Sequence, residues 1–240
     1  PGEGWPPPAE ALLFAAARAD HVARLIRPAL ARGEWVICDR FVDSSRAYQG
    51  GAGGLGDTAI TALHAFGSDG LRPDRVILLE GDEVALAGRI ASRGEASDAI
   101  EGRSAEYHRA VAAAFREIWL AATARREDWL AFTSAWVPGL KGESLRCADL
   151  KARQALGRAD ATWIADSQAL WRQAGSALPA ACDAPMAVLA AQGGLSPALR
   201  WERIERAIAE GEPTVVRAAA RGLPTEEQAL AEDYAAFLEA

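Results

Sequence analysis

The sequence predicts a parallel sheet flanked by helices up to about Ala121, followed by an all-α, solenoid-like segment. Two observations carry this expectation. In the first half, stretches of helical periodicity alternate with short apolar runs, which is the grammar of a helix-flanked parallel sheet. Beyond roughly Thr123 no strand pattern occurs, and short amphipathic stretches are punctuated by Gly and Pro, as in stacked helical hairpins.

Ala9 to Arg32 repeats its apolar residues at helical spacing, so a helix is expected there. Glu34 to Cys38 (EWVIC) and Arg75 to Glu80 (RVILLE) are short, β-branched and apolar, as buried strands are. Helices are expected over Thr58 to Phe66, Val84 to Ala91 and Tyr107 to Trp119. Gly50 to Gly56 (GGAGGLG) and Gly67 to Pro73 read as loops, because clustered glycines disfavour both regular states. In the second half, helices are expected over Glu127 to Trp136, Leu145 to Leu156, Ala161 to Ala174, Met186 to Ala191, Pro197 to Ala209, Thr214 to Ala220 and Glu226 to Leu238. Their breaks fall at Pro138-Gly139, Gly157, Gly175, Gly193-Gly194, Gly211 and Leu223-Pro224. Six of the eight tryptophans lie from Trp119 onward, yet no self-similar repeat is visible, so the solenoid expectation rests on helix length and breaks.

Composition narrows the function classes. Half of the 240 residues are hydrophobic and a quarter charged, as in folded globular proteins. A net charge of −7 and a pI near 5.1 disfavour binding along a nucleic-acid backbone, although clustered arginines suit a single small phosphate. No apolar run approaches the roughly 18 to 20 residues that span a bilayer, so no membrane partner is expected. PGEGWPPPAE lacks the basic start and apolar core of a signal peptide, which points to the cytoplasm. The chain opens on Pro1 rather than methionine, so residues are expected to precede it. Cys38, Cys147 and Cys182 are too few and scattered for a zinc site, and at most one pair is structural.

Asp39-Arg40-Phe41 follows directly on the EWVIC run, and open α/β sheets bind ligands at the carboxyl ends of their strands. Arginine presents a planar fork of donors to phosphate, and a neighbouring carboxylate can orient it. The alternative is a structural ion pair at a strand end. Phe14 and Tyr48, each taken alone, read as core aromatics. Together, however, Phe14-Ala-Ala-Ala-Arg18, Asp39-Arg40-Phe41, Ser45 and Tyr48 resemble thymidylate kinases in order and spacing, from about Pro1 through Ala121. That resemblance implies that Phe14 stacks on thymine and that Arg18 and Arg40 hold the base and the acceptor phosphate. It further implies that Ser45, Tyr48 and Gln49 recognise base and sugar, with Tyr48 near the 2′ position, and that Asp39 lies near magnesium and the transferred phosphoryl group. dTMP is then the small-molecule partner, with ATP and Mg2+ the cofactors of intact relatives.

Arg89 to Arg103 (RIASRGEASDAIEGR) resembles the lid of such kinases, with Arg93 the foremost catalytic candidate beside Asp39 and Arg40; the alternative is a solvated surface loop. Asp98 is followed by Ala99 where related lids commonly carry Arg. The donor-phosphate loop GxxxxGK[ST] is absent and the first lysine is Lys141, so little or no phosphoryl transfer is expected. Loss of that loop also implies loss of the strand before it. The fold expected is thus an α/β P-loop-kinase-like fragment with an incomplete parallel sheet, followed by the solenoid-like segment.

From about Asp128 the chain resembles the helical superhelical region of soluble lytic murein transglycosylases, through Leu145-Arg146-Cys147, Leu170-Trp171, Ala181-Cys182-Asp183 and Trp201-Glu202-Arg203-Ile204. In that family the region is a noncatalytic scaffold of a periplasmic, peptidoglycan-cleaving enzyme. The resemblance implies a disulfide between Cys147 and Cys182, which requires an oxidising compartment, and peptidoglycan as the partner of this half. The two halves thus imply different locations, and a chimeric chain joined at about residues 122–127 is the expectation. The runner-up function is that noncatalytic helical scaffold, with the first half a passenger.

Overall fold

The computed structural model describes residues 5–79, 81–92, 99–140, 142–173 and 176–240. The chain divides into two compact units, Pro1–Trp119 and Leu120–Ala240.

The first unit begins with α1 (Pro7–His21), which opens on prolines that supply a preset φ at positions needing no N–H donor. The helix widens into a π-helical turn at Val22–Ile26 and resumes as α2 (Arg27–Ala31). Pro28 lies just after the wide turn; a proline cannot donate to the preceding turn, and the local widening accommodates it. Short α3 (Val42–Ser45) leads into a second π-helical segment, Arg46–Ala52. There follow α4 (Asp57–Ser68), α5 (Glu83–Ser92) and α6 (Ala105–Arg125), within which the boundary between the units falls. α1 packs against α4, and both meet the second π segment. Ala11, Val22, Ile26, Val42, Ala47, Ile60 and Val111 are buried in this unit.

The expected sheet is not seen: among the described residues there is no strand. Residues 34–38 and 75–79 run outside regular structure, with Trp35 98% exposed, Ile37 99%, Ile77 84% and Leu79 88%. A strand exists only by ladder hydrogen bonds to a neighbour, and among the described residues neither run has one. Glu80, the last residue of the second expected strand, lies outside the described residues. Cys38 correspondingly is half-buried rather than buried on a strand, and its thiol is free. The loop expected over Gly50 to Gly56 is also corrected, because the π segment includes its first residues. Glycine is required there by packing: a Cβ on Gly51 would stand 2.6 Å from the Ala114 Cβ of α6.

Among the described residues of the second unit, the only regular elements are helices. It comprises α7 (Trp129–Ala135), α8 (Glu143–Ala155), α9 (Ala161–Gln173), a 3-10 turn at Ala180–Cys182, α10 (Asp183–Ala191), α11 (Pro197–Glu210), α12 (Pro213–Ala220) and α13 (Thr225–Glu239). Asp128 caps α7 by accepting from Ala131 N, and Ser196 caps α11 by accepting from Leu199 N. Successive helices pair, α8 with α9, α11 with α12 and α12 with α13. Their shared core includes Trp163, Leu170, Leu189, Ile204, Val216 and Ala231. Buried polar groups are matched to main chain: Trp163 Nε1 donates to Leu150 O at 2.8 Å, and Trp171 Nε1 to Leu199 O at 3.1 Å. Arg200 reaches Ala219 O, and Arg203 reaches Trp171 O and Ser176 O, so two buried cations end on main-chain carbonyls. Burial lowers the pKa of both. A disulfide joins Cys147 to Cys182, with the Cα atoms 4.9 Å apart.

Candidate functional site

The acceptor-site candidates lie on three elements of the first unit. Phe14 and Arg18 stand one turn apart on α1, the spacing that puts side chains on one helix face. Asp39 and Arg40 precede α3, Ser45 ends it, and Tyr48 and Gln49 lie in the π segment. Wide π turns are uncommon and frequent at functional sites, because the extra residue re-aims a side chain.

Several of these residues meet. The Arg18 guanidinium donates to the Ser45 hydroxyl and lies 5.7 Å from the centre of the Phe41 ring. Its pKa is lowered by burial, against the opposing pull of Cys38 and Asp43. Arg40 adopts φ 62°, in the left-handed region that L residues with large side chains rarely occupy, so a local conformational cost is spent at this position. Its guanidinium lies 5.3 Å from the centre of the Tyr48 ring. Tyr48 also packs edge-on to Phe115. Phe14 is 41% exposed on α1, and its ring has no aromatic partner among the described residues. Asp39 is exposed. Gln49 is buried, and its amide donates to Glu10 Oε1 at 2.7 Å. Arg93 lies outside the described residues.

The same unit carries an ion-pair cluster that sequence reasoning missed. Arg46 forks onto Asp57 at 2.6 and 2.9 Å and donates to Asp43 at 2.9 Å, tying the π segment to α4 and α3. Asp57 and then Asp43 raise the Arg46 pKa against the cost of burial. His64 of α4 is buried, donates Nε2–H to Leu71 O at 2.6 Å and meets the Phe41 ring edge-on at 5.4 Å. Burial, foremost, lowers its pKa, and its Nδ1 is buried without a hydrogen-bond partner among the described residues. Glu10, Arg103 and Tyr107 were missed as well. Arg103, at the end of the lid-like stretch, is not a solvated arginine: it pairs with Glu10 and donates to the Tyr107 hydroxyl. Burial works against the Arg103 charge, but Glu10 and Tyr107 outweigh it and raise its pKa. The local signal for these residues was faint, amounting to Glu10 one turn before Phe14 and Arg103 one turn before Tyr107.

A donor nucleotide with its magnesium ion needs a backbone cradle, a lysine and carboxylate or hydroxyl ligands. The 240 residues contain no GxxxxGK[ST] segment. Among the described residues, no group of three or more His, Cys, Asp or Glu is placed to hold a metal ion. Among the described residues, no helix is long and apolar enough to cross a membrane.

Comparison with known proteins places the same stretch in a family. The thymidylate kinase family model matches residues 4–126. A thymidylate kinase of Rhizorhabdus wittichii is 60% identical over 115 residues, covering 48% of this chain and 55% of the relative. One of Symbiobacterium thermophilum is 57% identical over 103 residues, with 42% of this chain and 47% of the relative covered. One of Rhodopseudomonas palustris is 48% identical over 112 residues, with 46% and 49% covered. The chain thus spans about half the length of these relatives. With the family model covering more than half of its residues, and with the arginine, aromatic and hydroxyl groups gathered on that stretch, the chain belongs to the thymidylate kinase family.

Proposed function

We propose that residues 1–121 form the acceptor-nucleotide module of a nucleoside-monophosphate kinase of the thymidylate kinase type, followed by a junction at 122–127 and a helical solenoid over 128–240. Intact relatives convert ATP and dTMP to ADP and dTDP. This chain, in our reading, recognises dTMP without transferring phosphate to it. Phe14 stacks on the base, Arg18 and Arg40 hold base and phosphate, and Ser45, Tyr48 and Gln49 shape the base and sugar subsites. Asp39, Arg40 and Arg93 belong to the phosphate side. The observation that carries the reading is the pairing of Arg18 with Ser45 and of Arg40 with Tyr48 inside the family-matched stretch.

Titration calorimetry with dTMP tests it. The wild-type chain is expected to bind, and Phe14→Ala and Arg40→Ala each to weaken binding by about 1 to 3 kcal/mol, the scale of a lost aromatic contact or charged hydrogen bond. Absence of wild-type binding sinks the proposal, and unchanged affinity in both variants returns these two residues to packing roles.

The disulfide favours a second reading for the helical unit. Such bonds persist in oxidising compartments, which suits a periplasmic, noncatalytic scaffold of the lytic transglycosylase kind, with peptidoglycan as its partner and the chain a chimera. Co-sedimentation with insoluble peptidoglycan tests this, and a helical unit left wholly in the supernatant rejects it.

A further inference from the structure

The π segment that carries Tyr48 and Gln49 is anchored from outside itself. Wide i→i+5 turns are intrinsically poor, and persist where neighbouring groups hold them. Here Gln49 donates to Glu10 of α1, the Tyr107 hydroxyl of α6 donates to Tyr48 O at 3.1 Å, and Gly51 abuts Ala114. Glu10 is central to this arrangement. It is 8% exposed, receives Gln49 on one oxygen at 2.7 Å and Arg103 on the other, and Arg103 in turn donates to the same Tyr107 hydroxyl that holds Tyr48. The Arg103 guanidinium also lies 4.6 Å from the centre of the Tyr107 ring, which keeps that hydroxyl in place. A buried carboxylate flanked by a cation and an amide is satisfied on both oxygens, so the network is rigid rather than strained. The same helix that carries Glu10 carries Phe14 and Arg18, one and two turns further on.

We propose that Glu10, clamped by Arg103, is the positioning residue that fixes Tyr48 relative to Phe14 and Arg18, and thereby sets discrimination between deoxyribonucleotide and ribonucleotide acceptors. Glu10 touches no substrate in this scheme. It acts through Gln49 on one side and through Arg103 and Tyr107 on the other. The inference rests on the acceptor-site reading above, in which Tyr48 borders the sugar 2′ position.

The test compares the binding of dTMP with that of its ribonucleotide counterpart, 5-methyluridine 5′-monophosphate, by calorimetry, alongside melting temperature without ligand. Glu10→Gln keeps the volume and an acceptor for Gln49 but removes the charge that holds Arg103. Its dTMP preference is expected to fall about tenfold, the scale of one charge-assisted hydrogen bond. Tyr107→Phe removes the hydroxyl shared by Arg103 and Tyr48 without touching Glu10, is expected to lose preference likewise, and serves if Glu10→Gln does not fold. A purely structural role would lower the melting temperature or both affinities together and leave their ratio fixed. Wild-type binding with an unchanged ratio in the folded variants overturns the inference alone. Absence of dTMP binding by the wild-type chain overturns the acceptor-site reading and the inference with it.

Discussion

Breaking the bond between Cys147 and Cys182 should cost the helical unit a large part of its stability, and the size follows from chain length. The bond closes a loop of sequence separation 35. In the chain-entropy model such a closure restricts the unfolded ensemble by about 4 kcal/mol at room temperature. A helical unit of this size unfolds with an entropy of roughly 0.25 kcal/mol per kelvin, so the melting temperature should drop by about 15 °C on reduction. The folded contacts around the cysteines are expected to contribute little to that drop, because the core of Trp163, Leu170 and Leu189 does not itself require the sulfurs to be joined. Circular dichroism melts with and without dithiothreitol, repeated on a Cys147→Ala, Cys182→Ala double variant, measure it. Thiol titration should find one free thiol, Cys38, before reduction and three after. If the reduced protein and the double variant melt within a few degrees of the oxidised protein, the entropic reasoning is refuted, and the unfolded chain must already be restricted in other ways.

Two further outcomes are expected. In a coupled ADP-release assay with ATP, Mg2+ and dTMP, the 240-residue chain should show no turnover, because it lacks the GxxxxGK[ST] cradle; robust turnover would show that another segment substitutes for it. Stability should fall on acidification through His64: burial, with help from Arg72 and Arg18 and against the Leu71 carbonyl and Asp43, holds its folded pKa below the unfolded value. Its contribution is complete above about pH 6.5 and is lost as pH falls through that value toward the folded pKa, since protonation would place an N–H on a buried Nδ1 that has no acceptor among the described residues. Urea midpoints of wild type and His64→Phe between pH 5 and 8 should diverge in slope; parallel curves would assign the pH dependence elsewhere.

The helices were legible because their determinants are local. Ala161 to Ala174 was expected from spacing and a following glycine, and α9 runs Ala161–Gln173. The strands were misread for the opposite reason. EWVIC and RVILLE have the composition of buried strands, but a strand is a relation between segments, and these runs have no ladder partner among the described residues. The site divides in the same way. Phe14, Arg18 and the Asp39-Arg40 pair sit in short spacings that can be read directly. The Glu10–Arg103 pair joins residues 93 positions apart and leaves no mark in any window of sequence. The π segment was hidden because its glycines signal a loop, whereas Gly51 lets α6 approach closely and Gly50 lies against Ile60 of α4.

The two buried arginines of the helical unit bear on how such a stack can diverge. Arg200 and Arg203 spend their donors on the carbonyls of Leu195, Ala219, Trp171 and Ser176, rather than on carboxylates. A carbonyl is supplied by whichever residue occupies the position, so the helices on the receiving side are free to drift in sequence while the joints between them persist. The burden of preserving the architecture then falls unequally on the two partners of each joint: the arginine must be kept, and lysine, a point charge without the planar fork, cannot replace it at both carbonyls. Joints of this asymmetric kind tolerate side-chain change on one partner and almost none on the other.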